Sequence, residues 1–236
     1  MDHPKTLIDF NTFIGQPRTS VYAIGVRASV HIPKAMLGVR GVIVERAIAS
    51  GDATRYHMPE TDLYPPIVAI LGGLLPFAAI IDKTALLKQL SNPLLRTDLS
   101  VRKLEHVNNE RLGDHNFAAV IEVKSVFHGE SVAEKDLLVD LEKLVECERV
   151  YGAKCFFALV GLEADLKRCR KSLTKLGLDN AIGPIPVVLA SGKTAWLLPS
   201  ARHVEGSPQV FIWTVSSNRT FAADASQYVF TVFQAA

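Results

Sequence analysis

Apolar residues in this chain fall into short runs separated by polar turns, and one such run covers Phe117 to Ile121. Apolar at five consecutive positions, it predicts a strand in the middle of a covered sheet. The run breaks at Glu122 and Lys124, which lie two apart and so share one face. Leu99 to Val107 predicts a partner strand across the polar turn region Asn108 to Gly113. On the other side, Leu137, Leu141, Leu144 and Val145 recur at helical spacing. They predict a helix over 131–151, opened by a capping box at Ser131 and Glu134 and stopped by Gly152. Cys155 to Val160 is an apolar run of strand length. Strand, crossing helix and strand form a β-α-β unit, so this strand should run parallel to the one at 117–124.

The flanks are less regular. Residues 20–32 are rich in β-branched side chains and read as a strand, after which Pro33 can open a helix. Leu37, Val44 and Ile48 fall near one face of that helix, Gly51 is its stop, and Glu45 lies on it. Residues 52–66 lack periodicity and read as a loop. Pro65 to Ile81 carries no charge, but it is short for a membrane span and contains Gly72-Gly73 and Pro76. It is read as a buried strand–turn–strand or strand–turn–helix unit, and no membrane partner is expected. Asp82 to Leu90 predicts a short helix ended by Asn92-Pro93. A basic helix is predicted from Glu163 to Leu176 with Gly177 as its stop, followed by strands at 185–190, 208–215 and 228–233.

At 236 residues the chain is long enough for a sizeable core, and a single domain is expected over 1–236. With 48% hydrophobic and 21% charged residues it is globular rather than disordered. A net charge of +2 does not point to or exclude an anionic partner. Cys147, Cys155 and Cys169 include no Cys-x-x-Cys pair and leave an odd thiol, which argues against a disulfide framework or zinc cluster and predicts a cytoplasmic setting. The first sixteen residues lack the continuous apolar core of a signal peptide.

The pair Glu122 and Lys124 is weak evidence alone, because Asp165 and Lys167 repeat the pattern on a predicted helix. A hairpin centred on Arg111 adds to it. That register sets Asp98 opposite Lys124, Ser100 opposite Glu122, Leu99 opposite Val123 and Val101 opposite Ile121. One face is then polar and the other aliphatic, and a slip of one residue would mix the two. Asp98 and Glu122 can hold a hard divalent cation, Mg²⁺ or Mn²⁺, through oxygens. Lys124 beside it can orient or deprotonate a water, with a phosphate as the polarised group.

With Asp98, Glu122-Val-Lys124 and the order helix, strand hairpin, helix, strand in view, the chain resembles the PD-(D/E)XK nuclease superfamily over roughly residues 34–160. The resemblance implies an α/β restriction-endonuclease-like core, a mixed central sheet flanked by helices, with strand additions at both ends and a C-terminal α/β extension over 161–236. It implies metal-dependent hydrolysis of DNA phosphodiesters, with RNA also open as a substrate and a homodimer compatible with the fold. Asp98, Glu122 and Lys124 would be catalytic, and Asp98 and Glu122 would hold the metal, joined by Glu45 as the acid of the first helix. The segment Asp140-Leu-Glu-Lys143-Leu on the following helix looks like one that many members carry, although Asp140 and Lys143 also read as an ordinary i, i+3 surface pair. The chain departs from the family in that Asp98 follows Thr97 rather than proline, and in its long spacing from Glu122. Asp114 is therefore a rival for the first acid, although on one straight strand it would lie about 26 Å from Glu122 at ~3.3 Å per residue. The alternative function is a catalytically inactive module of the same scaffold that binds a nucleic acid or a protein.

Other residues add less. Lys167, Arg168, Arg170 and Lys171, with Lys175, could contact phosphates or simply form a solvated helix face, while Leu166, Cys169 and Leu173 face inward. His106, His115 and His128 show no metal-ligand spacing. Ser191-Gly-Lys-Thr194 matches the end of a phosphate-binding loop, but Val187 stands where its first glycine should be. Trp196 and Trp213 read as core residues.

Overall fold

Ile24, Ala28, Ile32, Ala35, Val39, Ile43 and Ala47 are buried at intervals of three and four residues, which is one stripe of a helix. In the computed structural model, which describes residues 21–51, 58–76, 78–85, 96–103, 117–176, 184–203 and 207–219, they lie on helix α1, Val21–Ala49. The strand expected over 20–32 is therefore the first half of this helix. Packing of the apolar stripe overrides β propensity, and Pro33 lies inside the helix, not at its start.

Helix α2 spans Glu60–Leu74, where a loop and then a buried strand were expected. Leu63, Tyr64, Ile67 and Leu71 are its buried side chains. Pro65 and Pro66 fall in its second turn and remove two amide donors that the rest of the helix tolerates. Strand β1, Ala78–Ala85, follows, so positions 82–85 of the expected 82–90 helix are strand. The rest of that expected helix, Asp114, His106, His115, Gly177 and the strand expected at 228–233 lie outside the described residues. No helix among the described residues is long and apolar enough to cross a membrane.

The remaining elements are β2 (Arg96–Lys103), β3 (Phe117–Val126), helix α3 (Glu134–Tyr151), β4 (Lys154–Gly161), the short helices α4 (Glu163–Arg168) and α5 (Arg170–Leu173), β5 (Ile185–Val188), β6 (Thr194–His203) and β7 (Gln209–Ser216). They form an α/β architecture around one seven-stranded mixed sheet in the order β1-β2-β3-β4-β7-β6-β5. β3 and β4 are parallel, as a strand–helix–strand crossover requires, and the other neighbouring pairs are antiparallel. The Ser191-Gly-Lys-Thr194 segment is the hairpin turn into β6, with Gly192 at φ +77°, so it has no phosphate-loop geometry. α3 begins after Ala133 with no side-chain cap, so the expected capping box does not form, whereas Gly152 does end it in the left-handed region at φ 64°. The predicted basic helix is broken at Cys169 into α4 and α5, with Leu166, Cys169 and Leu173 buried as expected.

Each face of the sheet carries its own core. Val120, Phe157, Leu159 and Trp213 meet α3 on one face. Leu99, Val101, Ile121 and Val123 meet α1 and α2 on the other, so the aliphatic face of the β2–β3 hairpin does receive helices. Gly25 marks the tightest seat of α1, because a Cβ there would stand 2.8 Å from the backbone oxygen of Ala118 on β3. Gly41 on the same helix has nothing within 4 Å of that position. Gly25→Val is expected to destabilise the fold by about 1–3 kcal/mol through displacement of α1. Gly41→Ala should instead gain about 0.5–1 kcal/mol from helix propensity. Equilibrium denaturant unfolding of both variants checks the contrast, and equal effects would contradict the seat at Gly25.

Candidate functional site

The β2–β3 ladder pairs Leu99 with Ile121 and Val101 with Ala119. Its continuation sets Asp98 opposite Glu122, two residues away from the expected pairing with Lys124. A two-residue slip keeps every side chain on its face, so the alternation of polar and apolar positions was blind to it. The polar face survives intact and the two acids come closer than the predicted register allowed.

Asp98 lies near the start of β2, and Glu122 and Lys124 lie in the second half of β3. Asp98 and Glu122 are 5% and 1% exposed. The amide of Asp98 donates to Glu122 Oε1 at 3.3 Å, and the amide of Val123 donates to Asp98 Oδ2 at 2.9 Å. A carboxylate thus satisfies a β3 amide that a strand partner would otherwise take. Tyr64 of α2 lies 2.8 Å from Asp98 Oδ1 and 2.8 Å from Glu60 Oε1, and so ties α2 to the first acid.

Helix α3 supplies the other half. Asp140 and Lys143, expected as a surface pair, are buried and belong to the cluster. Lys143 Nζ donates to Glu122 Oε2 at 2.6 Å and to the carbonyl oxygen of Arg96 at 3.0 Å, and it pairs with Asp140 Oδ1 at 3.2 Å. Lys124 Nζ pairs with Asp140 Oδ2 at 2.9 Å and with Glu60 Oε2 at 3.4 Å. The Asp140 contact is an ion pair without hydrogen-bond alignment. Asp140 therefore stands between the two lysines, one on each of its oxygens.

Among the described residues, and with Glu122 ionised, four carboxylates face two ammonium groups, an excess of two negative charges. The titration of its members follows from burial and that excess. Burial first, then the charge of Asp98, pushes the Glu122 carboxyl well above its ordinary range, and Lys143 only partly offsets this. Burial would lower Lys143, but Glu122 and Asp140 outweigh it and hold the ammonium above its usual value. Asp140 and Glu60 do the same for Lys124 against the same burial. Burial, then Asp98 and Glu60, holds the Tyr64 phenol protonated. Cys147, next to the cluster, is pushed up to about 12 by burial and then Glu122, so its thiol is not a nucleophile near neutrality.

Among the sequence-predicted residues, Asp98, Glu122 and Lys124 are brought together. Glu45 is exposed on α1, across the sheet from Glu122 and α3. Lys167, Arg168, Arg170 and Lys171 are exposed. Lys167 pairs with Glu163 at 2.6 Å, Arg168 pairs with Asp165, and Asp165 also accepts the Gly129 amide in the turn after β3. The basic face thus lies at the end of the sheet to which β3 carries Lys124. His128 is exposed in that turn, and Trp213 is core, stacked on Phe211.

Glu60 and Tyr64 escaped the sequence reading, and the signal was their i, i+4 spacing interleaved with Leu63, Ile67 and Leu71. The consecutive prolines masked it. For Asp140 the signal was its place among Leu137, Leu141 and Leu144 on the inward stripe of α3. Comparison with protein-family models, curated proteins and solved structures finds no match to this chain.

A carboxyl raised in the folded state stabilises the protein below its unfolded value and loses that contribution as the pH rises through the folded value. Without divalent cations, the parent is therefore expected to lose stability relative to Glu122→Gln as pH rises from the ordinary 4.5 toward the raised value of Glu122. Thermal unfolding of both proteins across a pH series checks this. Parallel pH curves would show that Glu122 titrates as an ordinary carboxyl.

Proposed function

We propose that the chain is a metal-dependent phosphodiesterase acting on DNA, a nuclease of the PD-(D/E)XK type. The observation that carries the reading is the convergence of Asp98, Glu122 and Lys124 with an acid from a preceding helix. The order α2, β1, β2, β3, α3, β4 supports it, with the first acid on the second of these strands and Glu-x-Lys on the third. Glu60, at the start of α2, takes the role expected of Glu45.

The donor set suits a hard cation. Its ligating atoms, the carboxylate oxygens of Asp98 and Glu122, are all hard donors. Among the described residues no group of three or more His, Cys, Asp or Glu side chains is placed to hold a metal ion, so only a two-carboxylate site is open here. Mg²⁺ seldom needs more, because it binds through one or two carboxylates and completes its shell with water and substrate phosphate. Asp98 and Glu122 would hold Mg²⁺ or Mn²⁺, which when bound supplies Lewis-acid polarisation of a phosphate and charge stabilisation.

The chain's own groups do the rest. Tyr64 and the Val123 amide fix both oxygens of Asp98. Lys124, held as an ammonium, is suited to orienting a water or steadying a phosphoryl oxygen, and not to removing a proton. Its side chain is 21% exposed, and its ammonium lies 2.9 Å from Asp140 and 3.4 Å from Glu60. The exposed Arg170 and Lys171 support phosphate contacts beside the site.

The near-complete burial of Asp98 and Glu122 favours a second reading, an inactive module of the same scaffold that binds a nucleic acid or protein partner. Plasmid or oligonucleotide cleavage with Mg²⁺ or Mn²⁺ separates the two. Glu122→Gln and Lys124→Ala are each expected to lower the cleavage rate by about 100-fold or more while the fold persists by circular dichroism. Cleavage at the parent's rate by both variants would sink the nuclease assignment.

A further inference from the structure

We infer that Lys143 is a built-in counter-cation for Glu122, and that a divalent cation entering the site displaces it from that carboxylate. This rests on the reading that Asp98 and Glu122 hold the metal. The geometry of the two lysines separates their roles. Lys143 donates to Glu122 Oε2 at 2.6 Å and to the Arg96 carbonyl at 3.0 Å, and pairs with Asp140 Oδ1 at 3.2 Å. It is 8% exposed and so is turned inward, onto these partners. Lys124 is more exposed and has fewer described acceptors. Lys143 is therefore a positioning residue, and Lys124 is the lysine placed to meet a phosphate.

A carboxylate as buried as Glu122 could not stay ionised alone, because an uncompensated buried charge is strongly destabilising. The Lys143 ammonium satisfies it from inside the protein, so the site can fold before any metal arrives. A cation that takes Glu122 through Oε2 would meet the ammonium already on that oxygen. Two positive charges on one buried oxygen repel each other, so binding requires the ammonium to withdraw. Asp140 Oδ1 and the Arg96 carbonyl are the acceptors that keep Lys143 in place when Glu122 turns to the cation. Lys143 thus supports the empty site and limits the affinity of the filled one.

The test compares the parent with Lys143→Met, Lys143→Arg and the double variant Glu122→Gln/Lys143→Met. It uses thermal unfolding with and without Mn²⁺ and calorimetric titration of Mn²⁺. Without Mn²⁺, Lys143→Met is expected to melt below the parent. Saturating Mn²⁺ should raise its midpoint by more than it raises the parent's, with Mn²⁺ bound about tenfold more tightly. Lys143→Arg, which keeps the charge, should return toward the parent. If Lys143→Met folds only with Mn²⁺, the same conclusion follows. The double variant, which removes the Glu122 charge together with its counter-charge, should fold without Mn²⁺. Equal Mn²⁺ affinity in the parent and Lys143→Met would overturn the inference, as would a double variant that is as unfolded as the single. Absence of Mn²⁺ binding in every protein would overturn it together with the metal site. Mn²⁺ binding of the expected pattern without DNA cleavage would overturn only the nuclease reading.

Discussion

Glu122 stands on a central strand, almost wholly out of water, and a carboxylate there must either give up its charge or be given partners. The chain supplies partners from both sides. Lys143 meets one oxygen of Glu122, the Asp98 amide meets the other, and the Asp98 carboxylate is in turn held by Tyr64 and the Val123 amide. The members share partners, so the geometry of each depends on the others.

The scaffold explains why the partners converge. The parallel β3–β4 pair needs a crossover, and α3 is that crossover, so its inward stripe must lie over the strand that carries Glu122. Asp140 falls on that stripe, and Lys143 is one turn further on. On the other face α1 and α2 cover the aliphatic side of β2 and β3, and the first turns of α2 bring Tyr64 to Asp98 and Glu60 to Lys124. The dry face thus serves the polar one, because it anchors the helix that completes the cluster.

Much of this was legible before any coordinates. The run at 117–121, the break at Glu122 and Lys124, the helical spacing of Leu137, Leu141 and Leu144, and the apolar run at 155–160 specify β3, α3, β4 and the parallel pairing, because each rests on a local period. The two faces of the hairpin were readable for the same reason. The strand expected at 20–32 failed because β propensity is weak beside a buried helical stripe that runs through Pro33. The loop expected over 52–66 failed because two prolines hid a helix that tertiary packing stabilises.

The sequence by itself therefore determined the faces of the strands, the direction of the crossover and the candidates Asp98, Glu122 and Lys124, since period and short-range order require no knowledge of distant partners. Only the tertiary structure decided which residues meet. The hairpin register was open to a two-residue slip that no alternation pattern detects, and it was resolved toward Asp98 beside Glu122. The presence of Glu60, Tyr64, Asp140 and Lys143 follows from how two helices dock on the sheet. Docking is set by long-range packing and by the compensation of buried charge, and neither is written in the local pattern of the chain.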